Sequence, residues 1–167
     1  MLTRFLVVDD PKVYVSIVRN TDSRLNPREL FAVNSWLRSA EHFHVMRDNP
    51  SHDVPILGGM FGMKRNVLRG VQMVSIIQTA LLENSNGIEG VRGEDQSFLM
   101  RYIWPLVKNS CLAHDIDQER CLRYGSSRCE PFPLDSRDND SNFFVGAPFY
   151  GTSLHTSYNC SVTCFVV

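Results

Sequence analysis

One stretch near the start of the chain constrains the fold most, because a segment typical of a buried strand is followed at once by a helix start. Residues 13–19 are mostly β-branched or aromatic, which predicts a largely buried strand. Residues 26–29, Asn-Pro-Arg-Glu, predict a helix start, since asparagine can cap, proline suits the first helical position and glutamate completes a capping box. We expect this helix to end near Ser39. A strand joined to a helix by a short polar turn is typical of α/β proteins.

Later segments continue the alternation of strands and helices. Residues 43–48 and 111–114 predict strands, and the longest periodic segment, residues 66–83, predicts an amphipathic helix. The expected apolar face of this helix consists of Val67, Val71, Val74, Ile77 and Leu81. With about four strands and three helices in alternation, the sequence predicts an α/β fold.

The remaining segments are less clearly patterned. Residues 2–8 are apolar and fit either a helix or a strand, and Asp95 is expected to cap a helix that Pro105 ends or kinks. Order weakens from Asp117 onward. Residues 153–167 change from polar to apolar without a helical period, which is typical of an edge strand or of a disordered tail.

Composition excludes several classes of partner. Lysines and arginines number 17 against 18 aspartates and glutamates, a net charge of −1, whereas binding to nucleic acid or anionic lipid needs a basic excess. The sequence has no apolar run of about 20 residues, the length of a membrane span, and its N-terminus becomes acidic too early for a secretory signal peptide. We therefore expect no nucleic-acid partner and no transmembrane segment, and the compartment stays open.

Five cysteines leave the redox state open. An odd number in a chain of 167 residues does not indicate a small disulfide scaffold, and no Cys-x-x-Cys pair is present. The cysteines fit either free thiols in a reducing compartment or a few bridges in a secreted protein.

Several short motifs carry side chains capable of chemistry, and each has a structural alternative. Asn20 and Asp22 follow the first strand, where a carboxylate can hold a divalent cation together with substrate phosphates, or where the segment is simply a turn. Arg47 can grip a phosphate or a carboxylate and Asp48 can bind a sugar hydroxyl, or the two form an ion pair.

Three further motifs lie in the middle of the chain and beyond. Gly58 and Gly59 would let a ligand approach the backbone closely, or they mark a bulge or turn. Asp95 stands at a helix start, which favours anions, or it is only an N-cap. His114 and Asp115 end a strand, and a histidine beside a carboxylate can bind metal or transfer protons. Together with Asp22, this pair would suit a metal-dependent hydrolase.

The order of these motifs is more specific than any one of them. Along the chain stand Arg19-Asn-Thr-Asp-Ser-Arg24, His44-Val-Met-Arg-Asp-Asn-Pro-Ser-His52, Pro55-Ile-Leu-Gly-Gly-Met-Phe-Gly62, Asp95-Gln-Ser-Phe-Leu99, Ile103-Trp-Pro105 and His114-Asp115. This series resembles a family of GT-A-type glycosyltransferases, over about residues 5–149. The family pattern has aspartate, histidine and tryptophan where this chain has Asn20, Asn49 and Phe61.

The resemblance implies a fold and an activity. The GT-A fold is an α/β sandwich around a mixed, mostly parallel sheet flanked by helices, and it transfers a sugar from a nucleotide-sugar donor to the hydroxyl of a glycan or other acceptor. A divalent cation, Mn²⁺ or Mg²⁺, neutralises the donor diphosphate. The implied roles fall on Asn20, Asp22 and His114 as metal ligands, on Arg24, Arg47, Asp48, Gly58 and Gly59 as donor-binding residues, and on Asp95 and Gln96 as catalytic residues.

The resemblance also implies a domain organisation. In the family an earlier half that grips the nucleotide base precedes the first motif. We therefore expect residues 1–150 to be a partial GT-A-like domain whose N-terminal half is missing, and residues 151–167 to be an irregular C-terminal tail. A missing half would expose a sheet face and favour self-association. The alternative to an enzyme is a truncated or degenerate chain that acts as a non-catalytic binding or interaction module.

Overall fold

A computed structural model of the chain describes residues 2–23, 25–83, 93–133, 144–148 and 162–166. Within these ranges the strands are β1 (Val15–Asn20), β2 (Phe43–Arg47), β3 (Met60–Lys64), β4 (Cys111–Asp115), β5 (Arg128–Glu130) and β6 (Val162–Val166). They form one sheet in the order β5-β4-β2-β3-β1-β6, and helices accompany it. The predicted α/β fold is confirmed at this level.

The strand directions in the sheet are mixed. β2 pairs in parallel with β4, and β4 with β5, whereas β1 runs antiparallel to β3 and to β6, and β2 antiparallel to β3. The expectation of a mostly parallel sheet is therefore wrong for the strands described. A parallel pair needs a crossover, usually through a helix, and the connection between β2 and β3, residues 48–59, contains none. The chain turns back at the same edge of the sheet, so β3 is antiparallel to β2.

The first helix, α1 (Pro27–Arg38), confirms the predicted helix start and end. The Asn26 side chain accepts a hydrogen bond from the backbone N–H of Glu29 at 2.8 Å, and Pro27 stands in the first turn. Ser39 is the C-cap. Local sequence signals thus place this helix correctly at both ends.

Helices cover both faces of the sheet. On one face α1 packs through Trp36, which is fully buried against Gly62, where a Cβ would lie 2.7 Å from the indole ring. On the other face lie the 3₁₀ helix Leu2–Asp9 and α2 (Met73–Glu83), around the larger hydrophobic core. The 3₁₀ helix is the form taken by the N-terminal segment that the sequence left open between helix and strand.

The helix α2 is shorter than predicted and buries a different face. Asn66 and Arg69 have positive φ angles of 65° and 51°, so residues 66–72 form turns instead of helix. The buried residues of α2 are Met73, Ile76 and Ala80, whereas Val71, Val74 and Leu81 of the predicted face are exposed. Val67, in the turns before the helix, is buried, and Ile77 packs partly buried against the core. The predicted face is therefore wrong at the other three positions, because the helix starts later, at Met73.

The third helical stretch continues through a proline. It consists of α3 (Glu94–Phe98), a π-helical segment (Leu99–Ile103), α4 (Trp104–Val107) and a 3₁₀ turn (Lys108–Ser110). A proline inside a helix lacks an N–H and crowds the carbonyl four residues earlier, so the wider π turn before Pro105 accommodates it. The N-cap of α3 is Gly93, at φ 100°, and not Asp95, which stands in the first turn.

The sequence missed two elements that follow β4. Directly after Asp117, where the sequence predicted no regular element, α5 (Gln118–Tyr124) and β5 follow, and a disulfide between Cys121 and Cys129 joins them. Residues 162–166, in the segment expected to be an irregular tail or an edge strand, pair with β1 as β6. None of the described helices is long and apolar enough to cross a membrane.

Candidate functional site

The strand directions bring the ends of several strands to one edge of the sheet, the carboxyl edge. β2, β4 and β5 end there at Arg47, Asp115 and Glu130, and β1, which runs the same way, ends there at Asn20. β3 begins at this edge, directly after the two glycines of residues 58–59. Open α/β sheets bind ligands at such an edge, so most of the predicted site residues occupy the region where a site is expected.

One part of the carboxyl edge, the turn edge, consists of Asn20, Asp22, Gly58 and Gly59. The backbone N–H of Asn20 donates to the Gly59 carbonyl at 3.3 Å. A Cβ on Gly59 would lie 1.9 Å from Oδ1 of Asn20, so the asparagine side chain fills the space that a side chain at position 59 would need. Asp22 is exposed and Asn20 is half-buried. Arg24, the other predicted donor-binding residue here, lies outside the described residues.

Asp95 and Gln96, the predicted catalytic residues, lie beside the same turn. Oε1 of Gln96 accepts a hydrogen bond from the Gly58 N–H at 3.1 Å, and Nε2 donates to the carbonyl oxygen of Ile56. Asp95 forms an ion pair with Arg4. The structure therefore brings both residues to the turn edge, where each already has protein partners.

The other part of the carboxyl edge, the network edge, consists of Arg47, Asp48, His114, Asp115 and Arg120. The Asp115 carboxylate, fully buried, accepts hydrogen bonds from Arg47 Nε at 2.5 Å and from Arg120 Nη2 at 2.6 Å. Both arginines also donate to backbone carbonyls within residues 47–55. A donor phosphate would reach Arg47 only if this arginine left its buried ion pair.

Asp48 is also held inside the protein. Its Oδ2 accepts hydrogen bonds from Arg28 Nε at 2.8 Å and from the Val145 N–H at 3.0 Å. The sequence analysis gave an ion pair between Arg47 and Asp48 as the structural alternative. In the structure Asp48 pairs with Arg28 instead. Arg47 is the last residue of β2 and pairs with Asp115 of β4, whereas Asp48 follows the strand and pairs with Arg28 of α1.

His114 pairs with another histidine instead of joining Asn20. Its Nδ1 lies 2.8 Å from Nε2 of His44, and its Nε2 lies 3.8 Å from the Glu130 carboxylate. Burial lowers the pKa of His114 to about 4, and burial followed by repulsion from His114 holds the pKa of His44 well below its usual range. β4 and β1 are three strands apart, roughly 14 Å at about 4.8 Å per strand, so His114 does not share a ligand position with Asn20.

A buried acid lies behind the turn edge. Glu29 in the first turn of α1 forms an ion pair with Arg19 of β1 at 2.8 Å, and both side chains are 3% exposed. Burial raises the pKa of Glu29 to about 7 against the attraction of Arg19, and burial lowers the pKa of Arg19. The cost of removing both charges from water exceeds what the pair returns by attraction.

The turn edge fits a divalent cation only together with a phosphate ligand. Its oxygen donors are the exposed Asp22 carboxylate and the Asn20 amide, and Mg²⁺ characteristically uses one or two carboxylates plus substrate phosphates. Among the described residues no group of three or more His, Cys, Asp or Glu side chains could hold a metal by itself. The hydrolase alternative therefore lacks its cluster of ligands in this part of the chain, where Asp115 is bound by two arginines.

Comparisons with family models, curated proteins and solved structures find no match for this chain. Function is therefore argued from the carboxyl edge itself. A cavity of about 270 Å³ lies elsewhere, between the 3₁₀ helix and the turns of residues 65–72, and contains none of the predicted site residues.

Sequence reasoning missed several partners of the site residues. Arg4 lies in the segment left open between helix and strand, and nothing in its surroundings indicates that it reaches Asp95. Arg120 was detectable, because Asp117 caps α5 by accepting from the Arg120 N–H, and Gly125 ends the helix at φ 73°. An aspartate before helix-forming residues and a glycine after them are cap signals. These signals predict the helix, although not its ion pair.

Proposed function

We propose that this chain is a glycosyltransferase-like protein that binds a nucleotide-sugar donor at the turn edge and transfers its sugar to an acceptor hydroxyl. The observation that carries the proposal is the contact between Asn20 and Gly59, because it unites two motifs that are far apart in sequence. The contact lies at the carboxyl edge, where α/β sheets bind ligands. The resemblance of the ordered motifs to GT-A-type glycosyltransferases supports the same conclusion.

The proposed site assigns the donor contacts to the turn edge. Asp22, exposed at the end of β1, and Asn20 would hold Mn²⁺ or Mg²⁺ together with the donor diphosphate. The bound cation would offset the negative charge of the leaving diphosphate. Gly58 and Gly59 allow Asp95 and Asn20 to lie directly against the backbone of the turn. Arg47 and Asp48, held in buried ion pairs, support the edge from inside the protein.

The proposal is tested by nucleotide binding. Calorimetry of the purified chain with Mn²⁺ and UDP or GDP should give binding that is lost in Asp22→Ala. Asp10→Ala removes an exposed aspartate from the loop before β1, at the other end of that strand, and should leave binding unchanged. If the folded wild-type chain gives no heat at millimolar nucleotide in the presence of Mn²⁺, the proposed function fails.

A second candidate is a degenerate binding or interaction module without catalysis. It is favoured by Asn20, which stands where the family pattern has a carboxylate, and by exposed apolar side chains on α1. Leu30, Phe31 and Leu37 are 59%, 49% and 40% exposed. This candidate expects bound nucleotide-sugar to remain unconsumed and the chain to self-associate. A monodisperse monomer in light scattering would contradict the self-association.

A further inference from the structure

The backbone of the glycine turn is hydrogen-bonded by side chains from two distant segments. Gln96 uses both ends of its amide, accepting from the Gly58 N–H at 3.1 Å and donating to the Ile56 carbonyl. Arg4 Nη2 donates to the Gly58 carbonyl at 3.3 Å. Arg4 of the 3₁₀ helix and Gln96 of α3 therefore form hydrogen bonds with three backbone groups of the turn, namely the Gly58 N–H and the carbonyls of Ile56 and Gly58.

The ion pair between Arg4 and Asp95 joins these two contacts. Oδ1 of Asp95 also accepts from the Gln96 backbone N–H at 2.9 Å, which orients the start of α3. A Cβ on Gly58 would lie 2.9 Å from Asp95 Oδ2 and 3.4 Å from Arg4 Nη2. A side chain at position 58 would have to displace this ion pair.

The opposite side of the turn contacts Asn20. Gly59 accepts from the Asn20 N–H at 3.3 Å, and its missing side chain leaves room for the Asn20 amide. The turn is therefore fixed between Gln96 with the ion pair on one side and the end of β1 on the other.

We propose that Arg4, Asp95 and Gln96 are positioning residues that form a clamp on the turn of Gly58 and Gly59 and thereby set its position against Asn20. The inference rests on the proposed function, because the turn and Asn20 are its donor-binding groups. It changes the role expected for Asp95 and Gln96. They act on the donor through the turn, since the Asp95 carboxylate is bound to Arg4 and the Gln96 amide to the backbone.

Amide hydrogen exchange of Gly58, followed by NMR, tests the clamp without any ligand. In Gln96→Ala the Gly58 amide loses its acceptor, and its exchange should accelerate about 3- to 10-fold, the range expected from one hydrogen bond. Gln96→Glu keeps an acceptor for Gly58 but cannot donate to Ile56, so it should lie between the wild type and the alanine variant. Ser97→Ala, an exposed neighbour in α3, is the control and should leave exchange unchanged.

Binding of Mn²⁺ with UDP or GDP to the same variants tests the link to the donor site. Gln96→Ala should weaken nucleotide affinity about tenfold while thermal unfolding shows a folded protein, and Ser97→Ala should bind as the wild type does. Unchanged exchange of Gly58 in both Gln96 variants overturns the clamp. Faster exchange with unchanged affinity overturns its role in positioning. If the wild-type chain binds no nucleotide, the proposed function fails, whereas the exchange data still decide the clamp.

Discussion

The turn edge and the network edge lie at the same carboxyl edge of one sheet, yet their polar residues differ in burial and in pairing. At the network edge Arg47, Asp48 and Asp115 are fully buried and bound to other protein groups. At the turn edge Asp22 is exposed and Asn20 is half-buried over a glycine. The comparison teaches that a polar residue at a strand end is available to a ligand only where the rest of the fold supplies no partner for it.

The largest expected effect is a loss of stability caused by a substitution at the network edge. Asp115→Asn would leave the guanidinium groups of Arg47 and Arg120 buried without their shared carboxylate. Removal of one partner from a buried ion pair costs about 3–5 kcal/mol. Urea unfolding should show a loss of this size in the free energy of unfolding.

The matched control for this variant is Asp53→Asn. Asp53 is exposed and pairs with Arg123 at 3.0 Å, so its replacement should change stability little. Similar small losses in the two variants would contradict the view that the network edge is a buried structural element.

The second prediction concerns the pH dependence of stability behind the turn edge. The folded-state pKa of Glu29 is about 7, above its usual value of 4.5, so the protonated acid stabilises the fold. That contribution is complete below about pH 4.5 and is lost as the pH rises to about 7. Relative to Glu29→Gln, the wild type should lose on the order of 2–3 kcal/mol across this range, as measured by urea unfolding.

His114 provides the opposite sign at the network edge. Its folded pKa is about 4, below the usual 6.5, so its contribution is present above pH 6.5 and is lost as the pH falls through 4. His114→Gln should therefore remove a gain in stability between about pH 4 and 6.5, a range in which Glu29 contributes a loss, so the two contributions partly cancel in the wild type. Parallel stability profiles for the wild type and Glu29→Gln would contradict the assignment to Glu29 of a loss between about pH 4.5 and 7.

The third prediction concerns the contact between Gly59 and Asn20 at the turn edge. In Gly59→Ala the new methyl group would meet Asn20 Oδ1, at 1.9 Å in the unrelaxed structure. The forced movement should cost about 1–2 kcal/mol of unfolding free energy. Asn20→Ala combined with Gly59→Ala should recover most of the loss, because the double variant removes the group that the methyl displaces. Additive losses in this double-mutant cycle would show that the two residues are not coupled.

The smallest expected effect comes from a variant that adds a metal-binding side chain at the turn edge. Asn20→Asp adds a carboxylate near Asp22, as in the family pattern that the chain resembles, and it should raise the affinity for Mn²⁺ about tenfold in the presence of UDP or GDP. Calorimetric titration of Mn²⁺ into the nucleotide-saturated protein measures the change. Asn109→Asp, in the exposed turn before β4 at the opposite edge, should give no gain. An equal gain in both variants would indicate a general charge effect.

Local signals predicted the elements whose boundaries depend on neighbouring residues. The start and end of α1 follow from the asparagine cap, the proline and the terminal serine, and the structure has them where the sequence put them. The helix α2 shows the limit of this approach. Its periodicity extended from residue 66, but turns with positive φ at Asn66 and Arg69 delay the helix to Met73.

The partner of each charged residue was beyond sequence reasoning. Arg47 and Asp48 are neighbours and suggested an ion pair, but Arg47 ends β2, Asp48 lies just beyond it, and their side chains have different partners. Arg47 therefore meets Asp115, and Asp48 meets Arg28. Which residues form an ion pair depends on the order of the strands and on which helix covers each face. The motif carries no information about either. The same holds for Arg4, whose contact with Asp95 spans most of the described chain.

Sequence patterns were enough to predict the α/β class, the first β-turn-α unit and the positions at which polar residues end strands. These follow from propensity, capping and periodicity, which act over a few residues. The tertiary structure decided that β3 runs antiparallel, that His114 faces His44, and which strand-end groups are paired inside the protein. Burial and ion pairing depend on groups that only the folded chain brings within a few ångströms. The two halves of the carboxyl edge therefore differ although their sequence motifs look alike.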